Sequence, residues 1–143
     1  GLSRPRLRLL ASRVQAVHSL IEGASFIDTF RELHSTYDYG KKTAFTIATR
    51  VHRGGGLTKD AIYLRGLVQL LQYLRNNGRF DTLFLGKYNI SHIPIINELK
   101  ARQVIVPAPL TPRYFQDAGM NEKLQTVRDC SSPYELIRKG LRK

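Results

Sequence analysis

Residues Arg50 to Leu74 read RVHRGGGLTKDAIYLRGLVQLLQYL, and this stretch decides the fold class. From Tyr63 onward, Tyr63, Leu67, Leu70 and Leu74 recur on one helical face, Leu64, Val68 and Leu71 widen it, and Arg65, Gln69 and Gln72 form an opposite polar stripe. A core helix with one wet edge is the reading, spanning about 58–76. Thr58 is placed to cap it and Asp60 falls in its first turn, where a carboxylate suits the helix dipole. The preceding Gly54-Gly55-Gly56 lets the backbone approach a neighbour closely.

Working toward the N-terminus, Thr43 to Val51 carries Ala44, Ile47, Ala48 and Val51 at helical spacing and delivers Arg50, His52 and Arg53 into the glycine loop. Before it, Ser25 and Asp28 form a capping-box pattern ahead of Phe26, Ile27, Phe30 and Leu33. The first helix starts at Arg4-Pro5 behind Ser3, repeats Leu7, Leu10, Val14, Val17 and Ile21, and stops at Gly23. Three helices are thus expected to converge on the central one.

Working toward the C-terminus, Arg75-Asn76-Asn77-Gly78 reads as a helix stop. Phe80 to Leu85 is short and apolar, with Asp81 as an N-cap favouring helix, and Ser91 is read as the cap of a helix in which Ile90 staples onto Ile95. Val104-Ile105-Val106 is strand-like, but Pro107, Pro109 and Pro112 follow, so 104–113 is expected to be extended at the surface. Later, Ser132-Pro133-Tyr134-Glu135 is a clear helix start, and the basic run Arg138 to Lys143 closes the chain. The expectation is an all-α, irregular multi-helix domain over 1–115, followed by a polar, basic extension over 116–143.

Composition bounds the function. The 143 residues carry 23 Lys and Arg against 11 Asp and Glu, a formal charge of +12 that favours an anionic partner: nucleic acid, an acidic peptide, a phosphate-bearing ligand or a membrane surface. Cys130 is the sole cysteine, which excludes an intramolecular disulfide and fits a reducing, cytoplasmic compartment. No apolar run reaches the roughly 20 residues of a membrane span. Walker, dinucleotide-binding and nucleophile-elbow patterns are missing, and His18, His34, His52 and His92 lack metal-ligand spacing. What remains is anion recognition: the glycine-loop amides, Arg50, Arg53 and Lys59 suit a carboxylate or phosphate. The alternative makes those cations solvated helix-end residues and the glycines a plain turn.

The run Arg53-Gly54, Leu57 through Gly66, and Leu85-Gly86-Lys87 resembles the C-terminal half of a metallopeptidase-like family. That family joins bacterial proteins named for a QEGLA motif to the microtubule-associated tyrosine carboxypeptidases, and the similarity to the bacterial branch runs over about Leu2 to Tyr114. The resemblance implies a zinc-dependent carboxypeptidase whose His-Glu-x-x-x-His helix and ligating glutamate would precede Gly1, so the present chain would be a fragment that binds no zinc itself. It further implies a substrate cleft for an acidic peptide or C-terminal carboxylate, with Arg50, Arg53, Gly54, Gly55, Gly56, Lys59, Asp60 and Lys87 as binding residues. The upstream metal-binding half would be a partner. Tyr63 then has two readings, a core aromatic or a donor to the oxyanion that develops in peptide hydrolysis. Asp60 either pairs with Lys59, Arg53 or Arg65 or stands as a dipole-matched surface carboxylate, and Lys87 matches the family pattern or is a solvated lysine. Outside the resemblance stands a non-enzymatic basic helical module that binds nucleic acid, with Tyr37, Tyr39, Tyr73 and Tyr88 available for stacking.

Overall fold

A computed structural model describes residues 3–140, and among them there are eight α-helices and no strand. The fold is all-α. The chain divides into two compact units, one ending at Arg65 and one beginning at Gly66.

The first unit starts with α1 (Arg4–Ile21), capped by the Ser3 hydroxyl, which accepts the Arg6 amide, with proline in the first turn. Its inward face is small: Ser12, Ala16, Val17 and Ser19 are buried. Ala44 and Ala48 on α3 (Lys41–His52) are fully buried too, so α1 and α3 approach with little side chain between them. Such a face pays little side-chain entropy on packing. Between them runs α2 (Phe26–Arg31), opened by the expected capping box of Ser25 and Asp28 and continued by a π turn over Glu32–Thr36. Leu33 on that turn, with Ile47 and Val51 on α3, completes the apolar centre. Each contributes on the order of 1.5–3 kcal/mol by leaving water.

The hydrophobic centre of this unit therefore rests on α3. The helix expected at the centre, α4 (Lys59–Arg75), begins in the first unit and ends in the second. Its apolar face is uneven, because Ile62 and Tyr63 are exposed while Leu71 and Leu74 are buried.

Two further joints hold the first unit. Glu32 receives the Gln15 amide at 3.0 Å and the Ser19 hydroxyl at 2.6 Å, which ties the π turn to α1. The Thr29 hydroxyl lies 3.1 Å from the Ser25 carbonyl and 3.0 Å from His52 Nε2, and the second contact ties α2 to α3.

In the second unit, α4 ends at Arg75 and is followed by α5 (Phe80–Leu83), a 3-10 turn at Ile90–His92, α6 (Ile93–Ala101), a 3-10 turn at Arg113–Gln116, α7 (Met120–Arg128) and α8 (Pro133–Gly140). Two expected caps are replaced. Arg79 occupies the N-cap of α5, and Asp81 pairs with Arg79 at 3.0 Å and with Lys100 of α6 at 2.8 Å. Asn89, rather than Ser91, caps the turn into α6, its side chain accepting the Ser91 amide, and Ile95 is exposed instead of stapled. The segment between α6 and the turn at Arg113 is extended, with Val104, Val106 and Leu110 well exposed. Helix α7 carried no clear sequence signal. Helix α8 starts at Pro133 as expected, and Ile137 and Cys130 are buried there. The end of the basic run, residues 141–143, lies outside the described residues. No helix among the described residues is long and apolar enough to cross a membrane.

Candidate functional site

The glycine loop is first of all a helix terminus. The Gly54 amide donates to the Val51 carbonyl at 3.0 Å and the Gly55 amide to the Arg50 carbonyl at 2.8 Å, with Gly54 at φ +79°. That pair of bonds around a left-handed residue is a Schellman closure of α3. Two of the amides expected to receive an anion are therefore occupied by the protein itself. The Lys59 amide is occupied as well, donating to the Gly56 carbonyl at 2.7 Å.

Beneath the loop lies a charge cluster. Asp60, in the first turn of α4, is 5% exposed. Its two carboxylate oxygens face two guanidiniums, Arg50 Nη2 at 3.4 Å and Arg13 Nη1 at 3.7 Å. This replaces both earlier readings of Asp60: its partners are not Lys59, Arg53 or Arg65, all of which are exposed, and it is not a surface carboxylate. Burial of the acid is tolerable because both neighbours are cations. Gly56, at φ +93°, closes over the cluster; a Cβ there would stand 3.2 Å from Arg50 Nε and 3.3 Å from Asp60 Oδ2.

Arg13 was missed by the sequence reading. It sits on α1 as one arginine among several, and only the fold brings it to Asp60. Its side chain is 28% exposed, yet its Nε is buried without a partner among the described residues.

Beside the cluster, α1 and the start of α4 enclose an apolar groove of about 460 Å³, with Val14, Val17 and Ile21 on one wall and Leu57, Ala61 and Ile62 on the other. Val14 and Ala61 are the sequence neighbours of Arg13 and Asp60. Tyr63 is 58% exposed, which corrects the core reading of this side chain. Lys87 belongs to the second unit and is exposed there. Of the expected binding residues, the structure brings Arg50, Gly56 and Asp60 into contact and leaves the side chains of Arg53 and Lys59 in solvent.

No group of three or more His, Cys, Asp or Glu side chains among the described residues could hold a metal ion. His52 is engaged with Thr29, and His34 faces the Tyr39 carbonyl at 2.7 Å. These residues do not fit a zinc centre.

The family model for the microtubule-associated tyrosine carboxypeptidase matches residues 1–131. The chain belongs to that family. The match runs from the first unit through α7 and stops before α8. No match was found among curated proteins or among solved structures. Membership of the tyrosine carboxypeptidase family relates this chain to carboxypeptidases at the level of the family.

Proposed function

We propose that this chain is the C-terminal part of a zinc-dependent carboxypeptidase-like protein, close to the bacterial QEGLA-motif branch, and that its first unit forms the basic wall of a substrate cleft. The family match over residues 1–131 carries this reading. The metal ligands belong to a segment upstream of Gly1, which acts as this chain's partner. What the present residues contribute is binding and orientation: a peptide's terminal carboxylate is drawn by the local positive charge and held by guanidinium donors. An acidic tail gains from the same field. Tyr63, with its phenol accessible at the surface, is the residue here suited to donate to a developing oxyanion. The setting is cytoplasmic, in keeping with the free thiol of Cys130.

The test compares zinc content and release of C-terminal residues from acidic peptides for this chain and for a version extended upstream. Zinc and turnover in the extended protein alone are expected. Neither in either protein would overturn the proposal.

A further inference from the structure

We infer that α1 and the turn leading into α3 form a stacking slot for a base of a single-stranded nucleic acid. The inference goes beyond the peptidase reading and does not rest on it. The slot is a cavity of about 210 Å³ in the first unit, lined by Arg8, Ala11, Ser12 and Gln15 of α1 and by Tyr37 and Tyr39. The α1 residues recur at helical spacing, so the helix presents them on one face. The chain turns at Asp38, φ +51°, and both flanking tyrosines line the cavity. Tyr73 and Tyr88, the other tyrosines available for stacking, belong to the second unit.

The aromatic wall is set before any ligand arrives. The Arg8 guanidinium lies over the Tyr39 ring, 4.4 Å from its centroid, and the Tyr39 hydroxyl donates to the Arg8 carbonyl at 2.9 Å. Arg8 Nη2 also donates to the carbonyls of Tyr37 and Asp38, the second at 3.2 Å. The two side chains thus fix each other, and a flat ligand meets surfaces that lose little freedom on binding. Tyr37 is 38% exposed and offers its ring for stacking. Gln15 gives its amide to Glu32 at 3.0 Å, which orients the side chain and leaves its carbonyl oxygen to accept from the edge of a base.

Charge then selects a strand over a lone aromatic ring. Residues 4–8 and 37–42 carry five cations, Arg4, Arg6, Arg8, Lys41 and Lys42, against one acid, Asp38. Arg4 stands one helical turn before Arg8, and Lys41 and Lys42 open α3 just after Tyr39; all three are exposed. A strand whose base enters the slot brings successive phosphates to these cations, whereas a mononucleotide brings one. An acidic peptide would satisfy the charges and leave the aromatic slot unused. Arg8 disfavours a cationic ring by like charge.

The measurement is the fluorescence anisotropy of a labelled strand of about 12 deoxyadenosines, the scale of one binding site, titrated with this chain. Saturable, salt-dependent binding is expected, about tenfold or more weaker for an abasic strand of the same length and charge, with adenosine monophosphate and polyglutamate poor competitors. Tyr37→Ala is expected to weaken binding of the deoxyadenosine strand about tenfold, whereas Tyr37→Phe keeps the ring and binds as the parent does. Lys41→Gln combined with Lys42→Gln is expected to flatten the dependence of affinity on salt. The abasic arm uses the unaltered chain and decides the matter if Tyr37→Ala does not fold. Five outcomes overturn the inference: no saturable binding, equal affinity for the abasic strand, parent affinity in Tyr37→Ala, an unchanged salt dependence in the double lysine variant, or competition by the monophosphate or polyglutamate as effective as by the strand.

Discussion

A Cβ placed on Gly55 would lie 2.7 Å from the backbone oxygen of Arg50, the same oxygen that accepts the Gly55 amide. Neither atom can retreat without opening the end of α3. Gly55→Ala is therefore expected to destabilise the protein by about 1–3 kcal/mol, read by urea unfolding. Gly54 is required for a different reason: nothing crowds it, but its φ is +79°. Gly54→Ala should cost about 1–2 kcal/mol and Gly54→Asn clearly less. Equal losses for Ala and Asn at position 54 would contradict this account.

Asp60 is the counter-charge for two arginines, so removing it costs more than one ion pair. Asp60→Asn is expected to destabilise by about 1–3 kcal/mol, because two partly buried cations lose their common acceptor. In a double-mutant cycle with Arg50→Gln the coupling should fall at about 0.5–3 kcal/mol. Simple additivity of the two losses would mean that Arg50 and Asp60 are neighbours without being partners.

Acid should loosen the start of α8. The Ser131 amide and hydroxyl, with the Lys139 ammonium, hold the Glu135 carboxyl well below its ordinary 4.5, at about 2. A depressed carboxyl stabilises the fold in full above the ordinary value and loses that contribution as pH falls toward the lowered one. Thermal midpoints measured from pH 5 down to pH 2 are expected to fall less steeply in Glu135→Gln than in the parent. Asp28 and Asp81 shift in the same direction, so part of the acid limb remains.

Cys130 reports the integrity of the second unit. Its thiol is fully buried, donates to the Thr126 carbonyl at 3.1 Å, and is pushed up in pKa by burial. Alkylation in the native protein should run about a hundredfold or more slower than in urea. Ile137→Ala removes a buried side chain from α8, at a cost of about 2–5 kcal/mol, and is expected to accelerate it. Unchanged protection in that variant would mean that α8 does not cover the thiol.

The parts of the fold that were legible in the residues are those with local causes. Ser25 with Asp28, Pro133 after Ser132, and the stop at Gly23 each act within one turn, and each stands where its pattern placed it. Gln103 was not legible as a stop. It takes φ +59° after α6 in the role that glycine fills elsewhere, and a glutamine gives no advance sign of that. Helix α7 is mostly polar and lacks a side-chain cap, so nothing in Met120–Arg128 announced it. The site divides in the same way. Arg50 and Asp60 flank one loop and were each singled out, though not as partners, whereas Arg13 joins them through tertiary packing that no local pattern encodes. The uneven exposure of α4 also escaped periodicity, which ranks positions around a helix but cannot say how far along it a neighbour extends.

The bond between His52 and Thr29 pins α2 to α3 at a point outside their apolar contact. Phe26, at the start of α2, meets the same imidazole edge-on at 5.7 Å, so the ring is held by a hydroxyl and by an aromatic face of one helix at once. The two helices are fastened two residues from Arg50, so the guanidinium that faces Asp60 leaves the backbone at a point already anchored on its far side.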